Sequence, residues 1–102
     1  VIVPAAFNMT TGPAHWETLF RARAIDNQAF MIGVSPARNE KEKYIAYGHS
    51  LIVNPWGEVL WKAGAGEEVA VVTVEMEKVS QVRQNLPLLV QRRFDRYQIK
   101  EL

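Results

Sequence analysis

Few residues in this sequence could carry covalent or metal chemistry. The chain of 102 residues contains no cysteine, so it offers no thiolate nucleophile, no disulfide and no thiolate zinc site. Its two histidines, His15 and His49, have neither cysteines nor suitably spaced carboxylates to complete a metal site. Both are expected to make structural hydrogen bonds, His15 in the first turn of a helix and His49 at the start of a strand. Gly64 and Gly66 do not make a phosphate loop, because no helix follows at once and no Lys-Ser/Thr pair is present. They read as a turn. Arg92, Arg93, Arg96 and Lys100 could attract nucleic acid, but Leu88, Leu89, Val90, Phe94 and Ile99 are interleaved with them. Residues 87–102 are therefore expected to form a docking tail over apolar surface. The whole chain has 12 basic and 11 acidic side chains, a net charge of +1 that gives no reason to expect a polyanionic partner. The expectation is of no cofactor, no metal and no nucleic acid. No apolar run approaches the roughly 20 residues a membrane helix needs, and no signal-peptide pattern is present.

The elements follow from periodicity and turn chemistry. Residues 1–3, extending toward Phe7, form an apolar strand, followed by the polar loop Asn8-Met9-Thr10-Thr11-Gly12. Pro13 suits a first helical turn, which makes Gly12 or Thr11 the expected cap. Trp16, Leu19, Phe20 and Arg23 recur at helical spacing through Asn27, and Glu17 stands four before Arg21 in the favourable order for an ion pair. Residues 29–34 are nearly all apolar, as in a strand covered on both faces. Asn54-Pro55-Trp56-Gly57 has Pro and Gly where a type I turn prefers them, joining strands 51–53 and 58–62 in a hairpin. Residues 69–74 read as another strand and residues 77–86 as a helix with Val79 and Val82 on one face, ended by Pro87.

Strand, helix, strand implies a parallel crossover, and the hairpin adds antiparallel pairing, so the sheet is expected to be mixed. Composition is ordinary for a soluble globular domain, with 48% apolar and 23% charged residues. Two helices and a tail are too little to cover the predicted strands on both faces. A buried aliphatic side chain contributes about 1.5–3 kcal/mol, against a net domain stability of about 5–15 kcal/mol. The chain also opens inside an apolar run. Both observations lead to the expectation that an upstream segment or a second copy supplies the remaining cover.

A longer pattern runs through residues 4–17, through Arg21-Ala22-Arg23-Ala24-Ile25-Asp26-Asn27-Gln28, through Gly48-His49-Ser50 and through the Asn54–Gly57 turn. In that order and spacing it resembles the C-terminal part of the nitrilase (carbon–nitrogen hydrolase) superfamily, in its ω-amidase-like branch. The resemblance implies an α/β fold that is part of an α-β-β-α sandwich. It implies hydrolysis of small-molecule amide C–N bonds by a Glu-Lys-Cys triad: thiolate attack, proton transfer by the glutamate, oxyanion stabilisation by the lysine, then hydrolysis of the thioester. In the family all three members precede the segment matched here. Glu17, Lys41, Lys43 and Lys62 occupy positions that the family does not use for catalysis.

The resemblance carries over substrate contacts only at Phe7 and Thr11, which match a loop lining the pocket near the substrate's carboxylate end. The local reading makes Phe7 a core residue and Thr11 a helix cap. The resemblance further implies that the helix over residues 13–27 packs on its counterpart in a second subunit, with Trp16, Phe20 and Arg23 as interface candidates beside their reading as core. The expected whole is an amidase, a dimer or higher homo-oligomer acting on monoamides of dicarboxylates or 2-oxo acids. Its expected compartment is the cytoplasm, with the mitochondrion as alternative. A non-enzymatic dimerisation module is the competing class.

Overall fold

The computed structural model describes residues 1–102. Its elements run β1 (Ile2–Pro4), α1 (Thr11–Asn27), β2 (Met31–Val34), β3 (Leu51–Val53), β4 (Val59–Lys62) and α2 (Glu77–Asn85). The four strands form one sheet in the order β1-β2-β3-β4. β1 pairs parallel with β2, and the other two pairings are antiparallel. This is the mixed sheet, built on a β1-α1-β2 crossover, that the sequence predicts.

α1 lies on one face of the sheet, against β2 and β3. Trp16, Phe20 and Ala24 are four residues apart and so share one helical face. They close on Met31, Leu51 and Val53, all buried. Close approach here depends on Gly33, where a Cβ would stand 2.7 Å from Phe20 Cζ and 2.9 Å from Trp16 Cζ2. α1 ends at Gln28, whose left-handed backbone (φ 48°) releases the chain toward β2. The buried Gln28 side chain donates through Nε2 to the carbonyl of Leu86, tying the end of α2 to the end of α1.

The hairpin forms where expected. Gly57 N–H donates to the Asn54 carbonyl at 2.9 Å. Gly57 has φ 85°, and a Cβ there would also meet Ile25 Cδ1 at 2.6 Å. The buried Asn54 side chain holds the turn, its Oδ1 accepting from Trp56 N (2.9 Å) and Glu58 N (3.1 Å). Leu60 is an extra residue in β4, because Val53 faces Val59 while Ile52 faces Trp61.

Two expectations are corrected. The helix begins at Thr11 and its N-cap is Thr10, so Thr11 is not the cap, and Thr10 makes no side-chain capping bond. The first two strands are not covered on both faces by this chain alone, in keeping with the expectation that two helices and a tail are too little cover. β1 lies at the sheet edge with Ile2 67% exposed, and Val34 at the end of β2 is exposed too. Residues 69–74 are not a strand, since they take part in no backbone hydrogen bond. Their β-branched residues favour an extended pleat, and Val72 and Val74 are half-covered while Val69 and Val71 face solvent. A ladder additionally needs a neighbouring edge at hydrogen-bonding distance, and none of the four strands provides one.

Candidate functional site

The topology gathers three loops at one end of the sheet. Parallel β1 and β2 both finish there, antiparallel β3 starts there, and β4 finishes there. The loops are residues 5–10, the long loop from Val34 to Leu51 and the segment after Lys62. In open α/β sheets the carboxyl ends of parallel strands are where ligands collect.

Phe7 lies in the first of these loops, and Thr11 opens α1 directly after it. Ala5 N donates to Val34 O at 2.9 Å, so the loop leaves the sheet in register. Asn8 bridges Ala46, and Tyr47 N donates to Phe7 O at 2.7 Å. The Tyr44 hydroxyl donates to Ala6 O at 2.7 Å. Tyr47 also packs on Gly12 so tightly that a Cβ there would lie 2.3 Å from Tyr47 Cβ. The Arg38 guanidinium lies 5.9 Å from the centre of the Tyr47 ring and donates through Nη2 to Tyr47 O at 3.0 Å. His49 stacks on the same ring at 4.1 Å.

The two pocket candidates serve different surfaces. Phe7 is half-buried, edge-on to Trp16 at 5.1 Å, and lines an apolar cavity of about 220 Å³ with Val3, Leu19, Phe20 and Met31. Thr11 does not line that cavity. Its backbone N–H and its hydroxyl both donate to Asn8 Oδ1, at 2.9 and 3.1 Å, and Thr10 N donates to the same oxygen at 3.0 Å. The side chain that caps α1 is thus Asn8. Sequence reasoning gave Asn8 no role of its own, although an Asn shortly before a helical Pro is a recognised start signal. The Tyr44 and Tyr47 contacts had no local signal, being set by the path of the long loop between β2 and β3.

The interface candidates divide as well. Trp16 is 1% and Phe20 6% exposed, both spent on this chain's own core, which corrects their reading as interface residues. A side chain sealed under its own sheet presents nothing to a second copy. Arg23 stays exposed, 3.6 Å from Asp26. Trp16 Nε1 donates to His49 O at 2.7 Å. His49 lies two residues before β3 rather than in it, with φ 61°, and its Nδ1 is 2.8 Å from Tyr47 O.

Beside the first turn of α1, a polar cavity of about 340 Å³ is lined by Gly12, Pro13, Glu17, Arg21, Tyr47 and Lys62 among others. Lys62 Nζ lies 2.8 Å from Glu17 Oε2, and Arg21 Nη1 lies 3.6 Å from Glu17 Oε1. The hydrogen bond from Lys62 holds the Glu17 carboxyl below its ordinary range, with the charges of Lys62 and Arg21 adding to the effect. A carboxylate kept ionised by two cations is a poor proton shuttle, so this cluster reads as an ion network. No three His, Cys, Asp or Glu side chains come together as a metal site. No helix is long and apolar enough to cross a membrane.

A sheet with its helix on one face and its loops gathered at one end is shared with known proteins. The carbon–nitrogen hydrolase family model matches residues 1–84, and the chain belongs to that family. It is 50% identical to the omega-amidase NIT2 of Bos taurus over 100 residues, covering 98% of this chain and 36% of that protein. It is 52% identical to the omega-amidase NIT2 of Xenopus tropicalis over 101 residues, covering 99% of this chain and 37% of that one. Among solved structures, Nit3 of Saccharomyces cerevisiae, a nitrilase-superfamily member, superposes with a TM-score of 0.85 at 48% identity, over 91% of this chain and 34% of its own. The NitFhit protein of C. elegans gives 0.88 at 35% identity, over 98% of this chain and 25% of its own. The chain therefore spans little more than a third of the length of the omega-amidases it matches, and its sheet and helices form a partial α/β fold of the nitrilase type.

Proposed function

We propose that this chain is the C-terminal part of an amidase that hydrolyses small-molecule amides to carboxylate and ammonia, with the Glu-Lys-Cys triad supplied by residues outside it. The observation that carries this reading is an identity of about half to omega-amidases over essentially the whole chain, in a sequence with no cysteine. The chain contributes one helix-covered sheet and the loop that holds Phe7 and leads into Thr11, which forms part of the substrate wall. Monoamides of dicarboxylates and of their 2-oxo acids are the substrate class. The enzyme is a homo-oligomer, and Arg23 with the neighbouring exposed Leu19 is the part of α1 free to face a second copy. The non-enzymatic module is not favoured, because the relatives matched along the chain are amidases.

The test is ammonia release from a 2-oxo acid monoamide. The pure chain should release none. The chain produced together with a polypeptide carrying the remaining length of the Xenopus tropicalis relative should release it. Turnover by the cysteine-free chain alone, or none from the folded combination, would overturn the reading.

A further inference from the structure

We propose that Tyr47 is the positioning residue of the substrate loop, and that its contact with Gly12 sets where the carboxylate end of a substrate comes to rest. The inference rests on the reading of residues 5–10 and the start of α1 as part of an amide pocket. Tyr47 comes from the long loop between β2 and β3 and acts through Phe7 and Thr11.

Tyr47 holds the loop at both ends. At Phe7 the hold is a backbone bond: Tyr47 N donates to Phe7 O at 2.7 Å, beside the antiparallel bridge of Asn8 with Ala46. Ala46 is buried, and the Tyr44 hydroxyl donates to Ala6 O at 2.7 Å, so residues 44–47 back the loop from Ala6 to Asn8. At the start of α1 the hold is steric. Gly12 is buried, and a Cβ there would lie 2.3 Å from both Cβ and Cγ of Tyr47 and 2.8 Å from its Cδ1. These atoms sit next to the Tyr47 backbone and cannot swing aside like the far end of a flexible side chain. A side chain at position 12 would push the first turn of α1, and Thr11 with it, off the segment that holds Phe7.

Tyr47 is fixed from behind in its turn. Its carbonyl oxygen accepts from Arg38 Nη2 at 3.0 Å and lies 2.8 Å from His49 Nδ1. The His49 ring stacks on the Tyr47 ring, with 4.1 Å between centroids. His49 O accepts from the buried Trp16 Nε1 at 2.7 Å. Contacts therefore run unbroken from the sealed core through His49 and Tyr47 to both substrate candidates. Small misplacements of a bound group are costly, but they fall only on a substrate long enough to touch the displaced loop. A dicarboxylate monoamide presents its carboxylate there, and a short neutral amide does not reach it.

The combined enzyme, assayed on these two kinds of amide, tests the proposal. Gly12→Ala should raise KM for the dicarboxylate monoamide about tenfold with kcat nearly unchanged, as for a lost binding contact. Its KM for a short neutral aliphatic amide should stay within about twofold of the unaltered enzyme. Tyr47→Ala should act in the same direction, and Tyr47→Phe, which restores the ring, should recover the monoamide KM. Gly12→Ala combined with Tyr47→Ala should fall short of the product of the two single effects, because removing the ring clears part of the space the added methyl needs. Equal KM rises on both substrates would overturn the proposal, as would single effects that simply multiply.

Amide hydrogen exchange at Tyr47 supplies a readout without catalysis. Its N–H is bonded to Phe7 O, so Gly12→Ala should speed its exchange by about tenfold through local opening. Unchanged exchange there would overturn the proposal by itself. So would a rise shared by all four strands, which would mean that the whole fold had loosened. A lack of turnover in the unaltered combination would sink the amidase reading instead, and the exchange measurement would then decide the role of Tyr47.

Discussion

The two faces of the sheet are made of similar residues and have different fates. On one face Met31, Leu51 and Val53 are sealed by Trp16, Phe20 and Ala24 of α1. On the other, the pairings place Ile2, Ile32, Ile52 and Trp61 in a continuous row across all four strands. Alternation along a strand dictates the split, since neighbouring side chains point to opposite faces. The crossover helix covers only one of them. Ile2 is 67% exposed and Ile32, Ile52 and Trp61 are only half-covered. Apolar character therefore marks both faces equally, and only the α1 face is bound to the integrity of this chain by itself.

The sharpest way to break this comparison is Trp16→Ala. Truncating a fully buried tryptophan costs about 3–5 kcal/mol through lost burial and the cavity left behind. It also removes the donor to His49 O. Ile2→Ala, on the opposite face, should cost under about 1 kcal/mol, because little of Ile2 leaves water on folding. Denaturant unfolding of the two variants checks the ratio, and equal losses would mean that the second face is as dry as the first. Next in size is Gly33→Ala. A methyl there would stand 2.7 Å from Phe20 Cζ, so the aromatic pair must shift at a cost of about 1–3 kcal/mol. An unaffected unfolding midpoint would show that α1 is less tightly seated than these distances imply.

Much of the sealed face was legible in the sequence. Helical recurrence of Trp16 and Phe20, the apolar run at residues 29–34 and the Asn54–Gly57 turn each have a local physical cause, and each appears where expected. What periodicity could not supply was the identity of the cover. An apolar run reads the same whether one or both faces are buried by the chain's own elements, and Ile2 and Val34 lie exposed where the chain supplies no cover. The same ambiguity made Trp16 and Phe20 candidates for an interface when they are core. The candidate site was legible only as a loop after β1, where Phe7 packs half-buried against Trp16. Its polar detail was not. The contact of Thr11 with Asn8 depends on how the loop enters α1, where Tyr47, from far along the chain, packs on Gly12.

A smaller effect belongs to the sealed side's rim. Glu17 has its folded pKa depressed, chiefly by the hydrogen bond from Lys62. The sign follows from linkage: its contribution is full above the ordinary carboxylate value and is lost as pH falls through the lowered one. Both partners are partly exposed, so the pair contributes under about 1 kcal/mol. Unfolding measured across the acid range should show Lys62→Met to be less acid-sensitive than the unaltered chain. Identical acid profiles would remove Lys62 as the cause.

The smallest expected effect sharpens the comparison at its other end. Val71 is 99% exposed in the unpaired pleat of residues 69–74. Substitution at such a position changes stability by within about 0.5 kcal/mol, so Val71→Lys should leave the unfolding midpoint of the chain in place. The same change in the combined enzyme separates two arrangements. If the added polypeptide lays a strand or helix over the pleat, a lysine buried there without a partner costs several kcal/mol, and the variant should assemble poorly. If it leaves the pleat bare, assembly should be unchanged. A large loss already in the chain alone would mean that residues 69–74 are covered by the chain itself, and the contrast between a sealed and an open face would no longer describe this sheet.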